Sequence, residues 1–270
     1  MYADDTNITT TGKSITETIQ AANSDLENIT EWPYANTLFL NIAKTEQMFI
    51  ASDMLNKIGD FTINTLAGEP IKRVRNSKSL GITIDERLSW SVHINAVAKK
   101  VSSTIGGLRQ VRHLVDKETS ITIYNSLIQP LLDYCDIVWN NIGSTMATRL
   151  QKLNNLAGRV ICEIGYEVRS SDIRSQLSWS TLAERRANHK LIIMYKILRD
   201  EAPTYLKNDF ILGNDGVYNL RGSNGNVILP KPKTDFLKKS FKFSGAKLWN
   251  SLPLNTKLQN TLLFFKRHLP

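Results

Sequence analysis

The sequence predicts a mixed α+β chain that is mostly α, and three observations carry that prediction. Short strand-like stretches alternate with turn signals only up to about residue 90. Beyond that point, stripes of apolar residues recur at helical spacing. A stretch from about 204 to 245, rich in Gly, Asn, Pro and Lys, then supports no period at all. The expected organisation is an α+β portion at 1–90, a helical portion at 91–165 and a basic helical region at 166–270 with a loop-rich stretch at 204–245.

The first helix is announced by Ser14-Ile15-Thr16-Glu17, a capping box, with apolar residues at Ile15, Ile19, Ala22, Leu26 and Ile29, and it should end before Pro33. Strands are expected at Leu38 to Ile42 and Gln47 to Ala51 around a polar turn at Ala43 to Glu46, then at Phe61 to Thr65 and Gly81 to Ile84. Ile94, Val97, Val101, Ile105 and Leu108 share one helical face, and Gly106-Gly107 should loosen the end of that helix. A second helix carries Ile121, Tyr124, Ile128 and Leu131, kinked by Pro130. A third carries Met146, Leu150, Leu153, Ala157 and Val160, and a fourth Ala187, Leu191, Met194 and Leu198. A short apolar segment around Leu248, Trp249 and "TLLFFKRHL" closes the chain.

Charge narrows the partner. Thirty-four Lys and Arg against 25 Asp and Glu give +9 over 270 residues, which favours a polyanion. Cys135 and Cys162, both within apolar helical patterns, offer neither a disulfide framework nor a CxxC motif, and a reducing, intracellular setting, cytoplasm or nucleus, is expected. Apolar runs such as "LIIMY" fall far short of the roughly 20 residues a membrane span requires. GxGxxG, Walker A, HExxH and GxSxG are absent.

Asp4 and Asp5 form an adjacent acidic pair behind Tyr2. Neighbouring residues of a strand point to opposite faces, so both carboxylates meet one cation only at a bend. Hard oxygen ligands of this kind suit Mg²⁺ shared with phosphate oxygens, the setting of phosphoryl transfer. An exposed Asp-Asp-Thr-Asn turn is the plainer alternative.

The resemblance that bears on this choice extends along the chain. "YADDT" resembles motif C of reverse transcriptases, and "WPYANTLFLNIAKTEQMFI" resembles motif D of non-LTR, LINE-type retrotransposon enzymes. "KSLGITIDERLSWSVHI" is similar to their primer grip, and "IYNSLIQPLLDYCDIVWNN" to their thumb helices. "LSWSTLAERRANHKLIIMYKIL" and "SGAKLWNSLP" look like the region that follows the thumb. The resemblance implies an incomplete palm, a helical thumb and a basic C-terminal region of an RNA-directed DNA polymerase.

By the same resemblance, Asp4 and Asp5 are the catalytic metal ligands of a two-metal Mg²⁺ site, and Lys44 is a general acid toward leaving pyrophosphate. Tyr2, Leu80 and Gly81 would meet the primer. The family's fingers, motif A and motif B find no match, so the expected chain is truncated, its metal site incomplete and its activity absent unless those parts are supplied. RNA template and DNA primer are the implied partners, and deoxynucleotides only with the missing half. From the residues alone, Lys44 also fits a solvated turn. Two basic sets are candidate phosphate contacts: Arg185, Lys196 and Arg199 on one helix with His189, and Lys99, Lys100, Arg149, Lys152 and Arg159 on others. Each could equally be a solubilising face, and a non-catalytic nucleic-acid-binding helical module is the alternative function.

Overall fold

A computed structural model describes residues 6–35, 41–51, 70–213 and 225–269, without the side chains of 30–35. The chain divides into two compact units, Met1–His93 and Ile94–Pro270. Little of it is sheet, and most of what is described is helix.

In the first unit, helix α1 spans Ile15–Ala35. Ser14 Oγ accepts the Glu17 N–H at 3.2 Å and the Glu17 carboxylate accepts the Lys13 N–H at 2.9 Å, so the reciprocal bond reaches one residue further back than in the usual box. The helix continues through Pro33 instead of ending before it, since a proline near a helix end removes only one i→i−4 bond. The expected strand at Leu38 to Ile42 lies partly outside the described residues, and Ile42 opens a 3₁₀ turn, Ile42–Lys44, capped by the Asn41 side chain. Of the strand expected at Gln47 to Ala51 only β1, Glu46–Gln47, forms, paired parallel with β2, Lys72–Arg73. The strand expected at Phe61 to Thr65 lies outside the described residues.

An antiparallel hairpin follows, β3 at Asn76–Ser79 and β4 at Ile82–Asp85. Only β4 was foreseeable as a strand, because the polar β3 carries no apolar alternation. Leu80 and Gly81 form the two-residue turn with φ of 47° and 81°, the pair of positive angles that a type I′ turn demands. Glycine meets that demand at no steric cost, whereas Leu80 sits there under strain.

Helix α2, Ser91–Val111, starts at the end of the first unit and buries Ile94, Ala98, Val101, Ile105 and Leu108. Gly106 and Gly107 do not loosen it, and the helix runs four residues past them. Helix α3, Lys117–Ile123, is capped by Asp116 and passes through a π turn, Tyr124–Ile128, into α4, Gln129–Asp133. The distortion has a local cause: Pro130 cannot donate to the preceding turn, and the Gln129 N–H reaches back five residues to the Tyr124 carbonyl. It rephases the buried face to Tyr124, Ile128 and Leu132, displacing the expected Leu131.

Cys135 stands between helices with φ 50° and is exposed, not within a helical pattern. Helix α5, Asp136–Trp139, and the long α6, Ser144–Cys162, come next. Tyr124 Oη donates to buried Asn154 at 2.6 Å while its ring stacks on Trp179 at 4.1 Å. Burial pushes the Tyr124 phenol up to about 12, so it stays a donor at any ordinary pH. Helix α7, Ser170–Leu177, then leads to α8, Leu182–Leu198, which starts with a full Thr181–Glu184 capping box.

The stretch expected to be loop from 204 to 245 contains α9, Thr204–Lys207, α10, Asp235–Lys239, and the start of α11, Phe241–Asn250. Helices α12, Leu254–Lys257, and α13, Leu262–Arg267, follow. Of these, α11 and α13 each bury an aromatic residue against α8: Phe265 stacks on Tyr195 at 4.5 Å, and Trp249 joins the same core together with Phe210. The loop expectation erred because each piece is too short to show a period and is held by tertiary burial.

Gly106 and Gly107 are exposed in mid-helix, and an added Cβ at either would meet nothing within 4 Å. Gly106→Ala and Gly107→Ala should each therefore stabilise the chain by about 0.5–1 kcal/mol, read as a higher urea midpoint at unchanged slope. A lower midpoint would show that these positions are packed after all.

Candidate nucleic-acid interface

The Leu80-Gly81 turn forms the tip of the β3–β4 hairpin. Behind the tip, one carboxylate organises the chain between β4 and α2. Asp85 Oδ1 accepts the Arg87 and Ser89 N–H groups at 3.1 and 3.0 Å, and Oδ2 accepts the Trp90 N–H at 2.7 Å and the Ser89 hydroxyl at 3.2 Å. Those bonds hold Leu88 and Trp90 at φ 50° and 64°, angles that side-chain-bearing residues seldom adopt. Asp85 is thus a structural group, and Leu80 and Gly81 stand exposed at the tip. Lys44 is exposed at the end of its 3₁₀ turn, where a cation is accessible to solvent. Tyr2, Asp4 and Asp5, the expected primer contact and Mg²⁺ ligands, lie outside the described residues.

The basic residues separate into two kinds. Lys99, Lys100 and Lys152 are exposed, and Arg149 is exposed with its guanidinium donating to the Asn95 side chain. Arg159 corrects the expectation, since it is buried and spent on structure, donating to the Gly165 and Val168 carbonyls and to Ser170 Oγ. The stripe on α8 also divides. Arg185 pairs with Asp133 at 2.7 Å and is largely covered, while Arg199 donates to the Gln259 carbonyl at 2.8 Å and lies over the Tyr195 ring. Lys196 is half-buried. No open row of cations runs along this helix, because its polar face meets α4 and α5.

That meeting brings together groups far apart in sequence. Asp133, Asp136 and His189 place ligand-type atoms within 4.8 Å of one another. His189 Nδ1 lies 2.7 Å from Asp136 Oδ2, and this bond raises the histidine above its ordinary value of 6.5 against the opposing effect of burial. Burial raises the Asp133 carboxyl despite the Arg185 guanidinium beside it. Arg186, also buried, stacks over Trp139 at 4.6 Å with Nε and Nη2 lacking hydrogen-bond partners. A metal here would need a neutral imidazole, whereas the bond to Asp136 favours the protonated form, and Arg185 already pairs with Asp133. The cluster is an ion-pair network.

Sequence reasoning missed a second basic site. The C-terminal ends of α2 and α6 enclose a cavity of about 350 Å³ lined by Arg109, Arg112, His113, Arg159, Glu163 and Tyr166 among others. Arg109 belongs to the same exposed face of α2 as Lys99, Ser102 and Gly106, at successive helical turns. The run Arg109, Arg112, His113 at the end of a long helix was its only signal in the sequence.

Comparison with known proteins finds relatives of this chain. Over 194 residues, 70% of this chain, it is 24% identical to the probable RNA-directed DNA polymerase from transposon BS of Drosophila melanogaster. It is 24% identical over 190 residues to the RNA-directed DNA polymerase from mobile element jockey of the same organism. A retrovirus-related Pol polyprotein from type-1 retrotransposable element R1 of Nasonia vitripennis is 26% identical over 57% of the chain. The chain is related to the RNA-directed DNA polymerases of non-LTR retrotransposons. It spans 21% and 20% of the lengths of the BS and jockey polymerases and 47% of the R1 polyprotein. No protein-family model and no solved structure matches this polymerase relative. Among its described residues no helix is long and apolar enough to cross a membrane.

The His189–Asp136 pair makes stability depend on pH with a definite sign. The folded value is raised, so the stabilisation is complete below the unfolded value of about 6.5 and is lost as pH rises through the folded one. The stability gap between the wild type and His189→Gln, measured by urea unfolding, should be largest below pH 6.5 and shrink above it. A gap that widens with rising pH would contradict the assignment.

Proposed function

We propose that this chain forms part of the template- and primer-binding body of a non-LTR retrotransposon reverse transcriptase, with residues 1–90 in the palm, 91–165 in the thumb and 166–270 in a basic helical C-terminal region. The observation that carries the binding role is the exposed face of α2. Lys99, Lys100 and Arg109 flank Ser102, Ser103, Gly106 and Gly107 on it, so cations stand beside a surface of small residues. Two exposed helix-interior glycines weaken a helix and fill no packing need, but they let a sugar–phosphate backbone come close.

Asp4 and Asp5 are the residues that would hold Mg²⁺, whose role there is to neutralise charge on phosphate oxygens. Leu80 and Gly81 present an exposed, tightly turned tip to a primer strand. Lys44 offers an accessible ammonium for protonating a leaving group. In-line phosphoryl transfer requires ions roughly 3.5–4 Å apart with ligands from several segments, and one acidic pair supplies only part of that set. The second reading, a non-catalytic nucleic-acid-binding module, is favoured by the location of the basic face and the basic cavity wholly within Ile94–Pro270.

Binding is tested by salt. Affinity for RNA and duplex DNA should fall steeply with ionic strength, and Lys99→Gln, Lys100→Gln and Arg109→Gln together should flatten the log–log slope by about 2–3. An unchanged slope assigns the face to solvation.

Catalysis is tested by primer extension. The chain alone should extend no primer with Mg²⁺ or Mn²⁺, whereas mixing it with a segment bearing the complementary carboxylates should give synthesis that Asp4→Ala abolishes. Synthesis by the chain alone that depends on Asp4 would overturn the incomplete site, and no synthesis in any mixture would select the non-catalytic module.

A further inference from the structure

We propose that the cavity at the C-terminal ends of α2 and α6 is a site for one unpaired nucleotide, its base stacked on Tyr166 and its phosphate held by Arg109 and His113. The proposal rests on the reading of this chain as a nucleic-acid-binding protein. It adds a strand class, single-stranded, and a location that the basic face of α2 does not specify.

Tyr166 is held in place and left bare. Helix α6 ends at Glu163 with φ 55°, and the Ile164 N–H returns to the Arg159 carbonyl at 3.1 Å. Arg159 then fastens the following segment from inside, its guanidinium donating to the carbonyls of Gly165 and Val168 on either side of the tyrosine. The same guanidinium lies 5.1 Å from the centroid of the Tyr166 ring. One ring face is therefore backed by a fixed cation, and the residue is still 80% exposed. An aromatic ring positioned at this cost with an open face is a stacking platform. A base inside a duplex has both faces covered by its neighbours, so away from duplex ends the ring is open only to an unpaired base.

The cavity supplies the rest of a nucleotide's needs. Its volume of about 350 Å³ falls within the range of small-ligand pockets. Arg112 is a fixed wall, donating to the Ile161 and Val115 carbonyls and pairing with Glu163 at 3.5 Å. That pairing offsets the only carboxylate named among the lining residues. Arg109 and His113 are exposed and have no ion-pair partner among the described residues, so their donors are available to a phosphate. Glu163, held at the rim by Arg112, can accept from the exocyclic amino group of a base.

Fluorescence anisotropy on the full chain tests this with labelled oligothymidylate and oligouridylate of about twelve nucleotides and a blunt DNA duplex of equal length. Tyr166→Ala should weaken both single strands about 5- to 100-fold and leave duplex affinity nearly unchanged, whereas Tyr166→Phe should bind as the wild type does. Arg109→Gln should reduce the single-strand salt slope by about one. Because Tyr166 projects from the surface, an unchanged thermal midpoint will show that the variants fold. Equal losses on duplex and single strands, or no loss on either, would overturn the nucleotide site while leaving the binding role intact. Failure of the wild type to bind any of the three probes would overturn both.

Discussion

Burying Arg186 and Lys190 on α8 is the constraint around which the helical unit is arranged. A guanidinium and an ammonium leave water at a cost that neighbouring groups must offset, and breaking a buried ion pair costs about 3–5 kcal/mol. Three neighbours of α8 bring polar or aromatic partners to this face: α4 brings Asp133 to Arg185, α5 brings Asp136 to His189 and the Trp139 ring to Arg186, and α11 brings Ser244 Oγ to within 3.0 Å of Lys190 Nζ. Burial lowers both Arg186 and Lys190 from their ordinary values, with Asp136 opposing it. Charge neutralisation fixes the elements along the first half of the helix. Aromatic burial against Tyr195 and Met194 fixes those along the second.

The same economy governs the first unit on a smaller scale. Where the chain turns from β4 toward α2 it has no regular backbone ladder, and a buried carboxylate takes over as acceptor for the stranded N–H groups. Two left-handed side-chain-bearing residues within five positions are tolerable only because Asp85 fixes both.

Electrostatics separates the cations of a strongly basic chain by function. Arg112, Arg159, Arg185 and Arg186 use planar, multidentate guanidinium groups as internal fasteners, binding carbonyls, carboxylates and a ring face. Lysines such as Lys99, Lys100 and Lys152 stay in solvent as mobile point charges. Part of the net charge of +9 is therefore used inside the fold. Exposed cations stand along α2 and also at Lys78, Lys233, Lys238, Lys247 and Lys266.

By itself the sequence determined the long amphipathic helices, the capping residue at Ser14 and the family resemblance, because all of these depend on neighbours a few positions apart. Tertiary structure alone decided the rest. The π turn before Pro130 shifted which residues face inward, and within 204–245 Leu206, Phe210 and Phe241 pack into the apolar core that α8 anchors. Arg159 and Arg185 have the same local pattern as exposed cations, and only the carbonyls and carboxylate brought up by other segments draw them inside. The cavity beside Tyr166 was hidden for the same reason: its walls come from helix ends about fifty residues apart, and no local period records a meeting that burial and charge arrange.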